Sequence, residues 1–191
     1  FGDIAASSFR GMVYYTSPDR SELLEQLQSQ TIKEICDSNW KDLTIERLPK
    51  IPNFTLLVGW TGQVAITDSL IQATEKKRKV ATDSAFYKEF LKKSHAIVQG
   101  LQNAWNNQDI PALQEGIRAN RVLLNEFAQV MQLEIETPAL QTLCNLAEQN
   151  GACAKTSGAG GGDCGICFTQ NETQRQQIET QWAKAQIQVL P

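Results

Sequence analysis

The stretch Gly158-Ala159-Gly160-Gly161-Gly162-Asp163-Cys164-Gly165 holds the residues whose types and spacing point most directly to chemistry. Each glycine held in ordered structure costs about 0.5–1 kcal/mol relative to alanine, through lost chain entropy. Four glycines within residues 158–162 therefore cost about 2–4 kcal/mol, which is large against a domain stability of about 5–15 kcal/mol. Two arrangements offset such a cost. One is a ligand that closely approaches bare backbone N–H groups, an anion-binding nest. The other is a hairpin that needs positive φ, although a two-residue turn requires only one or two glycines. Gly160, Gly162 and Gly165 satisfy G-x-G-x-x-G in letters alone, because the following GICFT reads as a strand where a dinucleotide site needs a helix. No G-x-x-x-x-G-K-[ST] occurs, which excludes a Walker-type loop in this sequence.

The other reactive side chains lead to bland readings. Cys164 and Cys167 form a C-x-x-C, but residues three apart on a strand point to opposite faces. No second C-x-x-C accompanies them, so they read as core-packing thiols. The five cysteines, at 36, 144, 153, 164 and 167, are odd in number and irregularly spaced, as free thiols of a reducing, cytoplasmic compartment would be. A single histidine, His95, excludes a His-rich metal site and argues against a Ser-His-Asp triad. It lies in a lysine-bearing helical stretch and reads as a surface or packed residue. Glu75-Lys-Lys-Arg-Lys79 reads as a solvated helix end, where cations favour the C-terminal dipole. No metal site is expected.

Composition narrows the partners. Eighteen Lys+Arg against 21 Asp+Glu give a net charge of −3, the wrong balance for a phosphate-backbone footprint, so no nucleic acid is expected. At 41% hydrophobic and 20% charged the 191 residues read as a folded globular chain. No apolar run is long enough for a membrane-crossing helix, and the first residues lack a basic region and cleavage site.

The elements that must position the loop follow from periodicity and punctuation. Residues 1–9 read as a helix start, 11–16 as a strand and 21–40 as one helix whose apolar spacing slips at Ser29–Thr31. LTIERL (43–48) alternates, PKIPN (49–53) breaks, and FTLLVGW (54–60) reads as a buried strand. A domain boundary is expected near residue 41, giving segments 1–40 and 41–191. Residues 67–79 and 82–100 read as helices, with Thr67 or Asp68 and Thr82 or Asp83 as N-caps. A longer helix follows Pro111 with Leu113, Ile117, Leu124, Phe127 and Met131 on one face. Thr137-Pro138 opens another that ends at Asn150-Gly151. Two short strands flank the glycine loop, and a helix over 172–185 and a final strand close the chain. The order argues for an α+β fold, with helices on one face of a mainly antiparallel sheet.

AKTSGAGGGDCGICF (154–168) resembles the C-terminal motif of the GHMP small-molecule kinases, and KTSGAGGGDCGI is similar to the spelling of the bacterial phosphomevalonate kinase branch. LLVGWTG (56–62) followed by VAITDSL resembles the strand–turn–helix that opens the family's C-terminal domain. FGDIAASSFRGMVYY (1–15) resembles the segment carrying the family's active-site Asp, and NRVLLNEF (120–127) its substrate-facing helix. The family's P-x-G-x-G-L-G-S-S-A-type ATP loop and its N-terminal strand lysine do not occur in this sequence. The resemblance thus implies the C-terminal half of such a kinase: residues 1–40 as the end of the N-terminal domain, 41–191 as the C-terminal domain, and a missing N-terminal half as partner.

The resemblance implies ATP, with Mg2+, as phosphoryl donor and 5-phosphomevalonate as acceptor. It assigns Asp3 a catalytic role, orienting the absent lysine and the acceptor. Taken alone, Asp3 reads as a helix-start cap. The resemblance places Ser157, Gly158 and Ala159 on the acceptor's phosphate. Gly160, Gly161 and Gly162 would let phosphates approach, and Asp163 would either cap the loop or touch ligand. Asn120 is either a substrate contact or a polar residue at the edge of an apolar helix face. Mevalonate kinase and a non-catalytic anion-binding chain are the alternatives. The resemblance further implies that the 191 residues are inactive by themselves.

Overall fold

A computed structural model describes residues 2–62, 84–158 and 160–191. The chain divides into two compact units, residues 1–50 and 51–191.

In the first unit, helix α1 (Gly2–Phe9) leads into strand β1 (Val13–Thr16), helices α2 (Arg20–Gln26) and α3 (Ile32–Asp37), and strand β2 (Thr44–Arg47). The single helix expected over 21–40 is two, and the break falls where the apolar spacing slips. Thr31 starts α3 afresh with a capping box: its hydroxyl accepts from Glu34 N at 3.3 Å, and the Glu34 carboxylate accepts from Thr31 N at 2.8 Å. Such a cap stabilises a helix by about 1 kcal/mol, enough to favour a new start over continuing through Ser29-Gln30. Strand β2 pairs antiparallel with β1, Val13 opposite Arg47 and Thr16 opposite Thr44. A boundary near residue 41 would cut this pair, and the structure divides the chain between Lys50 and Ile51.

The second unit holds strand β3 (Thr55–Trp60), helices α4 (Ala85–Asn106), α5 (Ile110–Met131) and α6 (Pro138–Gln149), strands β4 (Cys153–Thr156) and β5 (Cys164–Thr169), helix α7 (Glu172–Lys184) and strand β6 (Gln188–Leu190). Its sheet runs β4-β5-β3-β6, antiparallel at every junction. Period-two alternation puts Leu57, Gly59, Gly165 and Cys167 on one face, where Leu57 opposes Cys167 and Gly59 opposes Gly165. Helices α6 and α7 cover that face through Leu143, Ala147, Ile178 and Trp182, all fully buried. The paired glycines are what admit them. A Cβ at Gly59 would lie 2.8 Å from both Leu143 and Trp182, and one at Gly165 would lie 2.6 Å from Leu143. On the other face Phe168 stacks on Phe54 at 4.8 Å and meets Trp105 edge-on, while Leu56 stays exposed. The α+β reading, an antiparallel sheet packed by helices, is what the structure has, with α6 and α7 on one face and Trp105 of α4 meeting the other.

Local signals place most boundaries. Asp109 caps α5 ahead of Pro111, Thr137 caps α6 ahead of Pro138, and the chain leaves α6 through Asn150 and Gly151, whose φ is +76°. Ser84 is the N-cap of α4. The helix expected at 67–79, its caps Thr67 and Asp68, the 75–79 charge run, and Thr82 and Asp83 lie outside the described residues. Of the C-x-x-C pair, Cys167 is buried in the core beneath α6 and α7, as the packing reading expects, whereas Cys164 is half-buried beside Asp163 and outside that core; Cys144 and Cys153 are buried as well. Burial pushes the Cys144 thiol up to about 12 and that of Cys153 to about 11, so both stay protonated. His95 is exposed on α4.

Candidate functional site

The glycine loop joins β4 to β5. Ser157 N donates to Cys164 O at 2.9 Å, which closes the ladder at its base. Above that pair the backbone turns left-handed: φ is +62° at Gly158, +75° at Gly160, +81° at Gly161, +126° at Gly162 and +61° at Asp163. Four consecutive residues, 160–163, thus occupy a region that residues with a Cβ rarely enter, and Asp is among the few that tolerate it. A two-residue hairpin needs no such run.

Two anchors hold the loop. On one side Asp163 O accepts from both the backbone N and the hydroxyl of Thr61, each at 2.9 Å, tying the loop to the end of β3. On the other, Gly161 N donates to Ile135 O at 2.8 Å. Gly160 is buried against the same residue. A Cβ there would run into the Ile135 carbonyl oxygen and lie 2.7 Å from Ile135 Cγ2. Gly160 is therefore required by close packing of two backbones. Gly158 differs: it is exposed, and a Cβ would meet nothing within 4 Å. That leaves Gly158 as the open side of the loop. Thr156, just before the loop, is buried with its hydroxyl unpartnered among the described residues, an uncommon state for a buried polar group.

The expected site residues fall in both units. Ser157 is half-buried at the loop's base, Gly158 is exposed, Gly160 and Gly162 are buried, and Asp163 is exposed, with Cys164 Sγ donating to its carboxylate at 3.6 Å. Ala159 lies outside the described residues. Asn120 is half-buried on α5, the helix that packs against β4. Asp3 belongs to the first unit, exposed in the first turn of α1. The backbone N–H of Ile4 holds its carboxyl below the usual carboxylate range. Among the described residues no three Asp, Glu, Cys or His side chains gather as a metal cage. No helix among them is long and apolar enough to cross a membrane.

Sequence reasoning missed a polar cluster beside the loop. Arg121 on α5 forks onto Glu136, with Nε to Oε2 at 2.9 Å and Nη2 to Oε1 at 2.5 Å. It also reaches Glu148 at 3.0 Å and Asn145 at 2.9 Å, both on α6. Asn125 donates to Glu136 at 2.9 Å. Burial alone would raise the Glu136 carboxyl, but the hydrogen bonds from Arg121 and Asn125 outweigh it and hold the group below its usual range. No spacing rule links residue 121 to 136, since the pair forms across the turn between α5 and α6.

Residues 97–188 match the family model described as the C-terminal domain of GHMP kinases. The chain is 34% identical over 192 residues to a phosphomevalonate kinase of Streptomyces sp. strain CL190, a match that spans all of this chain and 51% of that protein. Among solved structures, a Lin0012 protein from Listeria innocua superposes with a TM-score of 0.93 at 32% identity, over 100% of this chain and 53% of that one. The phosphomevalonate kinase of Streptococcus pneumoniae, in complex with phosphomevalonate and AMPPNP, superposes with a TM-score of 0.85 at 26% identity, over 100% and 54%. The chain spans about half the length of these relatives. The loop's spelling, the antiparallel sheet that carries it and these matches agree: residues 97–188 are a C-terminal domain of the GHMP kinase family.

Proposed function

We propose that this chain is the acceptor-binding part of a phosphomevalonate kinase, which transfers the γ-phosphoryl group of ATP to 5-phosphomevalonate and releases 5-diphosphomevalonate and ADP in the mevalonate route to isoprenoids. The observation that carries the reading is the KTSGAGGGDCGI loop, its glycines at positive φ and its Gly158 side open. The relatives named above, about twice as long, lend it support. The reading calls for an N-terminal half that supplies the ATP-phosphate loop and a lysine, and it places the enzyme in the cytoplasm with its charged substrates.

An oxygen of the acceptor's phosphate attacks the γ-phosphorus, a new P–O bond forms, and the bond to the ADP oxygen breaks. The second pKa of a phosphate monoester is about 6, so the attacking oxygen is already largely ionised at neutral pH and needs no strong base. The protein's work is then positioning and neutralising charge. Ser157, Gly158 and Ala159 bind the acceptor's phosphate, and the left-handed run at Gly160–Gly162 shapes the backbone around it. Asn120 contributes a substrate contact, and Asp163 holds the loop's exit through its carbonyl's bonds to Thr61. Mg2+, when bound, would offset the charge of the ATP phosphates.

The test is product analysis with the full-length protein, ATP, and either 5-phosphomevalonate or mevalonate. Diphosphomevalonate from the first and nothing from the second is the expected result. Phosphorylation of mevalonate alone would move the assignment to mevalonate kinase. A catalytic Asp3 predicts that Asp3→Asn lowers kcat at least tenfold with an unchanged thermal transition. Near wild-type turnover would remove Asp3 from the active site.

A further inference from the structure

We propose that Arg121 and Glu136 form a positioning clamp for the glycine loop, holding the Ile135 carbonyl at the one place where it can accept from Gly161 and bound Gly160. The proposal rests on the phosphoryl-transfer reading only for what the loop does, because the clamp itself is a matter of geometry.

The connection between α5 and α6 is short, and its residues have divided tasks. Ile135 gives its carbonyl to Gly161 N at 2.8 Å and its backbone packs against Gly160. Thr137 caps α6 by accepting from Leu140 N. Glu136 lies between them, and its two carboxylate oxygens take three hydrogen bonds from Arg121 and Asn125. The Arg121 and Glu136 side chains are 12% and 5% exposed, so solvent screens the pair little. A forked guanidinium–carboxylate contact fixes orientation as well as distance, which a lysine ammonium does not. Arg121 is held in turn by Glu148 and Asn145 on α6, so the clamp refers the loop's anchor to two helices at once.

A buried ion pair is weak evidence for stability, since well-packed apolar residues often serve as well. Position is the property that apolar packing would not supply here. The loop's amides can stabilise a transferring phosphoryl group only where they are preorganised, and a misplacement of about 1 Å can cost on the order of 100-fold in rate.

The test compares Arg121→Lys and Glu136→Gln with wild type in the full-length protein by hydrogen exchange and kinetics. Both variants should speed exchange of the 157–164 peptide at least tenfold. Exchange of the β3 and β5 amides away from the loop should stay unchanged, and the thermal transition should stay within a few degrees. In the same variants kcat should fall at least tenfold while the KM for ATP moves less than twofold. Arg175→Met, which breaks an exposed pair with Glu179 on α7, should alter neither. Unchanged loop exchange overturns the clamp, and so does an even rise over residues 51–191 with lost thermal stability. Arg121→Met removes the charge altogether; should it not fold, the two conservative variants decide. Loop exchange that responds to the two substitutions, in a protein whose wild type shows no phosphomevalonate turnover, would uphold the clamp and remove the kinase reading.

Discussion

Replacing Gly160 with Val in the full-length protein should reduce the proposed phosphomevalonate turnover by at least 100-fold while the second unit stays folded. Two independent penalties meet at this residue. Its φ of +75° lies where a β-branched side chain is a true outlier. A Cβ would also strike the Ile135 carbonyl oxygen, which is backbone and cannot swing aside. The loop must therefore leave Ile135, and the bond from Gly161 N goes with it. The sheet does not depend on that contact: its core lies beneath α6 and α7, at Leu143, Ile178 and Trp182. Gly158→Ala is the internal comparison. It shares the positive φ of +62° but meets no neighbour, so it costs about 1 kcal/mol of backbone strain and should leave the loop in place. Steady-state kinetics and far-UV circular dichroism on both variants check the pair. Wild-type kinetics in Gly160→Val would remove the loop from the mechanism.

The largest stability effect is expected at Trp182. Its side chain is fully buried, packs over Gly59, and donates its indole N–H to Leu143 O at 3.0 Å. Trp182→Ala should destabilise the second unit by about 3–5 kcal/mol, which corresponds to a fall in Tm of about 6–20 °C. That is a large part of a typical stability of about 5–15 kcal/mol. Trp182→Phe keeps most of the apolar area and loses the donor, so its cost should be nearer 1 kcal/mol. Urea unfolding of the three proteins measures both differences. An alanine variant within 1 kcal/mol of wild type would mean that α7 contributes little to this core.

Much of the local structure was legible because its causes lie within a few residues. Thr137-Pro138 starts α6 and Asn150-Gly151 ends it, since a hydroxyl cap, a fixed φ and a left-handed exit are all local requirements. The slip at Ser29–Thr31 was visible too. Its consequence, two helices where one was expected, depended on the Thr31–Glu34 box winning over continuation. The glycine loop announced itself by the entropic cost of its composition and by its spelling.

What the residues in order determined by themselves was the type of most of the described elements, the presence of a costly glycine loop, and a likeness to the GHMP kinases. What only the tertiary structure decided was which distant groups meet. Strand β2 belongs with β1 because their edges pair, and nothing local to LTIERL says so. Gly59 and Gly165 are small because Leu143 and Trp182 need the space across the sheet. Gly160 is a glycine because Ile135, twenty-five positions earlier, lies against it, and Arg121 matters because Glu136 stands beside that anchor. Periodicity and caps are decided by neighbours a turn or a strand pair away. Close approach between remote backbones is decided by packing, and a sequence read along its length carries no direct record of it.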